Sequence, residues 1–291
     1  MTAVTNAPRP RRSALYMPAG NARAIEKARS LPADAVILDL EDSVAPDAKE
    51  GARGQAVAAL SAGGFGRREV VIRVNGADTP WGADDLAAAA QARPDAILLP
   101  KVSAPHDLAA AAGVVASRSR LWAMIETCQA VFRLDALGAA SREHGVDVWV
   151  IGANDLVKEM GCAPGADRGP LLSALSLAVM AARAHGLTIL DGVYNDIPNL
   201  EGLAAECGQG AALGFDGKSL IHPSHLEAAN RIFAPPAAEV AWAQVVVAAY
   251  DAPENATAGV IKVEGRMVER LHLTQARRTL AVADAIASRE A

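Results

Sequence analysis

Aromatic side chains make up only 4% of this 291-residue chain, too few to build the stacking platforms on which single-stranded nucleic acids lie. A basic stripe is missing as well. Lys and Arg number 28 against 33 Asp and Glu, scattered along the sequence for a net charge of −5, so nucleic acid is not an expected partner. Cysteine is scarce: Cys128, Cys162 and Cys207 are odd in number and form none of the paired spacings of a zinc site or disulfide framework. A reducing, cytoplasmic setting is therefore expected. No apolar run reaches the roughly 18 to 20 residues of a membrane span, so no membrane association is expected either. The opening MTAVTNAPRPRR has no apolar segment after its charges, as a secretory signal would, and residues 1–12 read as a disordered tail. Neither a G-x-x-x-x-G-K-[ST] loop nor a Rossmann glycine fingerprint occurs, which removes support for nucleotide hydrolysis and dinucleotide binding.

What the chain has is rhythm. Short apolar runs recur, each followed by Gly, Pro, Asp or Asn and then by a longer Ala-rich stretch of helical spacing. The runs fall at 13–18, 35–41, 70–75, 96–101, 121–127, 146–152, 187–193 and 211–217. Several are continuously rich in Val, Ile and Leu, as parallel strands buried on both faces are. Helices are expected at 21–30, 83–92, 104–116, 129–144 and 170–185, with Gly145 and Gly186 closing two of them. Eight strand–helix units fit a closed (β/α)8 TIM barrel over residues 13–235. Beyond Pro235 and Pro236, residues 236–291 form a C-terminal helical appendage with helices at 237–250 and 273–288 and a glycine-containing segment between them.

A barrel of this kind carries its chemistry at the C-terminal ends of its strands. Those ends read Pro18 with Gly20, Glu41 with Asp42, Arg73 with Asn75, Lys101, Glu126, Asn154 with Asp155, Asp191, and Asp216 with Lys218. Glu126 and Asp155 would enter the mouth from adjacent strands and suit a hard cation such as magnesium, which takes few carboxylates and leaves places for substrate oxygens. The alternative is that each simply pairs with Lys101 or Arg73. The adjacent acids Glu41 and Asp42 would gain from a cation or its waters; otherwise they would salt-bridge to Arg53 or Lys49. Arg73 offers a planar fork for a carboxylate or a developing enolate oxygen. Cys128 reads as a small buried thiol, and His222, before Pro223, as a loop or helix-start residue.

Seven stretches in order, RRSALYMPAGN, ILDLEDSVAPDAKEGAR, VIRVNGADTPW, ILLPKV, AMIET, IGANDL and GFDGKSLIHPSH, resemble the citrate lyase β-subunit and the malyl-, β-methylmalyl- and citramalyl-CoA lyases of the HpcH/HpaI aldolase superfamily. The resemblance runs from about residue 11 to 235. It implies a magnesium-dependent carbon–carbon lyase that cleaves a 3-hydroxy-3-carboxyacyl thioester to an acyl thioester and a 2-oxo acid. In it Glu126 and Asp155 hold the metal, Arg73 contacts the oxo acid, and Glu41 with Asp42 support the metal's water shell. The backbone of Gly152 and Ala153 would border the oxo acid, while Tyr16, Lys27 and the segment 214–222 would lie along the acyl-CoA path. Where many relatives read G-K-M-I-D-x-P, this chain has Gly265-Arg266-Met267-Val268-Glu269-Arg270-Leu271. Glu269 thus replaces, one carbon longer, an Asp that reaches the thioester of a neighbouring subunit. Asn at position 21, where malyl-CoA lyases often carry Arg, tilts away from a strict malyl-CoA lyase. A homo-oligomer, trimer or hexamer, is implied. Two alternatives stay open: a citrate lyase β-subunit working on a carrier protein, and a malyl-CoA thioesterase.

Overall fold

In the computed structural model, which describes residues 9–116 and 118–290, the apolar runs become eight parallel strands closed into one barrel. They are β1 Ser13–Pro18, β2 Ala35–Asp39, β3 Glu69–Arg73, β4 Ala96–Leu99, β5 Arg120–Ile125, β6 Val146–Ile151, β7 Thr188–Asp191 and β8 Gly217–Leu220. Closure is made by β8 on β1, with Ser13 beside Lys218 and Leu15 beside Leu220. The helices of this unit are α1 Ala22–Ala28, α2 Lys49–Ala62, α3 Gly82–Ala92, α4 Pro105–Val115, α5 Cys128–Val131, α6 Leu134–Glu143, α7 Ala153–Met160, α8 Leu172–Ala184, α9 Leu200–Leu213 and α10 Leu226–Ile232. The expected (β/α)8 fold is the one observed.

Alternate residues of a strand point to opposite faces. One set, Ala14, Ile37, Val71, Leu98, Trp122, Met124, Val148, Val150 and Leu190, packs together as a buried cluster, with Tyr16 against it. Two residues on from Ile37, Val71, Met124 and Val150 stand Asp39, Arg73, Glu126 and Gly152. The same alternation that fills the barrel therefore aims these four at its upper end.

Four expectations need correction. The eighth strand lies at 217–220, not 211–217: Ala211–Leu213 end α9, and Gly214 caps it in the left-handed region at φ 99°. The true strand is hard to see because its Lys218 is polar yet fully buried, compensated by Asp191 at 3.0 Å and Glu206 at 2.7 Å. Asp216 consequently precedes β8, at the end of the barrel away from the mouth, where it pairs with Arg183 at 2.8 Å. The expected helix 129–144 is broken at Phe132 and Arg133 into α5 and α6. Of the supposed tail, residues 1–8 lie outside the described residues, but Arg11 and Arg12 are anchored, to Glu69 at 2.7 Å and to Asp34 at 3.0 Å. Finally, a window within Pro223–Asp251 does reach the length and hydropathy of a membrane span. The chain there is interrupted between α10 and the next helix, over residues 233–236.

Residues 11–231 form one compact unit, and the chain from Ile232 onward belongs to a second. The second holds α11 Ala237–Asp251, a hairpin of β9 Val260–Val263 and β10 Arg266–Glu269, and α12 Arg270–Glu290. The hairpin is what the glycine-containing segment becomes, turning at Glu264 and Gly265, both at positive φ. Ala243, Val246, Tyr250, Val263, Val268 and Leu273 make its core, and the Tyr250 hydroxyl donates to Val268 O at 2.8 Å.

Candidate active site

At the C-terminal ends of the strands opens a cavity of about 280 Å³. Arg73, Asp39, Asp42, Tyr16, Glu126, Gly152, Ala153 and Asp155 all line it. Sequence reasoning passed over Asp39, although it sits within the LDLED stretch at the inward parity. Its carboxylate grips Arg73 through both oxygens, with Nε donating at 2.6 Å and Nη2 at 2.8 Å. The remaining Nη1 faces Asp42 at 3.2 Å and Glu41 Oε2 at 2.8 Å, the latter an ion pair off the hydrogen-bond axis. Tyr16 lies beneath, with the guanidinium carbon 4.7 Å from its ring centroid. One edge of the fork expected to meet substrate is thus held by Asp39, and a ligand at the Nη1 side would have to share or displace its contacts with Asp42, Glu41 and the Met124 sulfur.

Neither alternative partner of the Glu41–Asp42 pair takes that role. Lys49 Nζ donates to the backbone oxygens of Leu40 and Glu41 and to Asn75 Oδ1, and Arg53 binds Asp85. Burial pushes Glu41 up to about 8, against the pull of Arg73. Burial also raises the Tyr16 hydroxyl well above its usual range, so Tyr16 stays neutral. Asp39 goes the other way: burial alone would raise it, but Arg73 and its hydrogen bonds hold it below the usual carboxylate range.

The second half of the site is built from β4, β5 and the start of α7. Glu126 is fully buried. Its Oε1 accepts from Lys101 N at 2.7 Å, while Oε2 is buried without a hydrogen-bond partner. A Cβ at Gly152 would collide with that bare oxygen and with Glu126 Cβ, so only glycine lets β6 pass so close. Asp155, in the first turn of α7, approaches from the other side. The Lys101 ammonium stands against both acids, 2.6 Å from Asp155 Oδ2 and 3.6 Å from Glu126 Oε1. Burial lifts Glu126 to about 7, partly opposed by Lys101. The structure thus brings Glu126 and Asp155 together around one cationic group, the ammonium of Lys101.

These groups suit a hard divalent ion. A buried carboxylate oxygen with no donor costs free energy that a cation would recover. Among the described residues no cluster of three or more His, Cys, Asp or Glu side chains is placed to hold a metal, so an ion here would draw most of its ligands from water and substrate. That is the habit of magnesium and unlike structural zinc.

The other expected residues are distributed as follows. Lys27 is exposed on α1 and outside the cavity lining. Glu269 ends β10 in the C-terminal unit, exposed, with its N–H donating to His272 Nδ1 at 2.9 Å. His222 caps the turn at Pro223, as expected of a helix-start residue. Asp191 is buried away from solvent, held by Arg168 at 2.8 Å and Lys218 at 3.0 Å. Cys128 is partly exposed rather than buried, because it begins α5 at the barrel's upper end. Of the segment 214–222, Ser219 and Ile221 line the cavity, and unforeseen members of the lining include Val193 and Asn195. Asn195 exchanges amide hydrogen bonds with Asn154 at 2.7 and 3.3 Å across the mouth. Val193 and Asn195 lie in the loop between β7 and α9, which has no periodic signal.

A closed eight-stranded parallel barrel with its ionisable side chains gathered at the C-terminal ends of the strands is the architecture of a TIM-barrel enzyme. Residues 12–223 match the HpcH/HpaI aldolase/citrate lyase family, and the chain belongs to it. It is 50% identical over 279 residues to a (3S)-malyl-CoA thioesterase of Cereibacter sphaeroides, covering 96% of both chains. It is 33% identical to the citrate lyase subunit beta of Escherichia coli, over 97% of this chain and 96% of that one. Among solved structures, the protein CitE of Mycobacterium tuberculosis in complex with magnesium, acetoacetate and coenzyme A shares 30% identity at a TM-score of 0.75. That match covers 94% of this chain and 97% of the other.

Proposed function

We propose that this protein is a magnesium-dependent lyase that cleaves a malyl- or citramalyl-type CoA thioester to an acyl-CoA and a 2-oxo acid. The observation that carries the reading is the convergence of Glu126 and Asp155 on one cation position, with a bare buried oxygen on Glu126. Magnesium, when bound, would polarise the substrate's hydroxyl and carboxylate oxygens as a Lewis acid. Glu126 and Asp155 would hold that ion. Asp39 fixes Arg73 so that Nη1 points into the cavity, where its charge stabilises oxygen that becomes negative as the carbon–carbon bond breaks. Glu41 lies behind Arg73, outside the cavity lining, with Oε2 buried 2.8 Å from Nη1, so its part is to set the charge around the guanidinium rather than to meet the substrate. The backbone of Gly152 and Ala153 borders the oxo-acid end. The reading also takes the protein as a cytoplasmic homo-oligomer in which Glu269 approaches the thioester held by a neighbouring subunit.

A second reading is hydrolysis of the thioester in the same site, favoured by the 50% identity to a protein named as a thioesterase. Products separate the two. With malyl-CoA and magnesium, a lyase yields a 2-oxo acid and acetyl-CoA, whereas a thioesterase yields malate and free CoA. If no CoA ester reacts while a carrier-protein thioester does, the carrier-dependent reading holds instead. Glu126→Gln and Asp155→Asn should each lower magnesium-dependent turnover by more than about 100-fold, since even outer partners of metal ligands are worth roughly 10 to 100. Full activity in either variant, with its fold intact by circular dichroism, would remove that residue from the site.

A further inference from the structure

Lys101 follows β4 in an unusual posture. Its backbone sits in the left-handed region at φ 56°, which costs a non-glycine residue free energy. Two groups of this one residue address the acidic pair. The backbone N–H orients Glu126 Oε1 at 2.7 Å, and the ammonium closes on Asp155 Oδ2 at 2.6 Å with Glu126 Oε1 at 3.6 Å. The turn itself would be served as well by Gly or Asn, so the lysine side chain has a separate task. Its four-carbon stem is 38% exposed and flexible, and the ammonium can withdraw while the N–H contact to Glu126 stays.

We infer that Lys101 is an internal counter-ion that competes with the divalent metal for Asp155, beside Glu126, and so sets the metal affinity of the site. The inference rests on the assignment of those two acids to the metal. An ion that takes Asp155 Oδ2 must displace the ammonium from it. The two acids keep a positive neighbour throughout. Displacing a charge already satisfied makes metal binding weaker than two free carboxylates would give. Removing the ammonium should therefore tighten binding, a gain that damage to the fold would not produce.

The test is metal titration of the full-length protein after chelator treatment, using Mg²⁺ by calorimetry and Mn²⁺ by electron paramagnetic resonance. Lys101→Met removes the charge at similar length, and Lys101→Asn removes it with a residue that tolerates the left-handed turn. Binding about tenfold tighter than wild type is expected in both, with a lower melting temperature in chelator and a larger rise when magnesium is added. Unchanged or weaker affinity in both variants overturns the role of Lys101, provided Glu126→Gln has lost metal binding. If Glu126→Gln binds metal as well as wild type, the metal assignment itself falls, and the inference with it.

Discussion

Asp39 and Arg73 are joined by two short contacts, 2.6 Å to Nε and 2.8 Å to Nη2, across adjacent strands β2 and β3 where their Cα atoms are register partners. The pairing fixes which nitrogen faces the cavity. Asp39→Asn should cost about 3–5 kcal/mol of stability, as breaking a buried ion pair does, seen as a lower midpoint in urea. Turnover should fall while magnesium affinity, measured calorimetrically, stays at the wild-type value. A matching loss of metal affinity would mean that Asp39 acts on the metal rather than through Arg73.

Gly152 is required by proximity rather than by backbone angle, since an added Cβ would strike Glu126. Gly152→Ala is expected to destabilise by about 1–3 kcal/mol through overpacking and to weaken magnesium binding by pushing the carboxylate aside. Thermal denaturation with and without the metal reads both effects. A variant that binds magnesium normally would show that Glu126 can move freely.

Metal binding should depend on pH around neutrality. Glu126 is held near 7 by burial, so below that pH it is protonated and a proton competes with the ion. Affinity for magnesium should be about tenfold weaker at pH 6 than at pH 8, with proton release detectable in buffers of different ionisation enthalpy. A pH-independent constant over that range would contradict the environment assigned to Glu126.

Stability in chelator should pass through a maximum. Asp39 and Asp191 titrate below their ordinary value of 3.8 because Arg73, and Lys218 with Arg168, outweigh burial. Their contribution is complete above that value and is lost as pH falls through the lowered folded ones. Glu41 and Glu126 run opposite: raised from 4.5 to about 8 and about 7, they favour the fold when protonated, and that advantage is complete below 4.5 and lost progressively as pH rises from there through the folded values. The melting temperature should therefore be highest at about pH 4 to 5 and decline from there towards pH 8, and magnesium should lift its alkaline limb. An alkaline limb that magnesium leaves unchanged would separate these carboxylates from the metal.

Much of the barrel was legible because buried parallel strands are apolar runs and their ends carry polar residues. Arg73, Glu126 and Asp155 could be nominated from position alone. Asp39 could not, because an acid inside a strand run reads as the run's boundary until its partner on the next strand is known. β8 was misplaced for a similar reason: Lys218 is buried only because Asp191 and Glu206 reach it from β7 and α9.

The order of apolar runs and helical stretches determines by itself that this chain closes an eight-stranded barrel, since period and composition are local properties. The tertiary structure alone decided that Asp39 immobilises Arg73, that Lys101 stands between Glu126 and Asp155, and that Gly152 leaves room for a bare carboxylate oxygen. Each of these joins residues from different strands at ångström range. Register and burial set such distances, and no run of neighbouring residues encodes them.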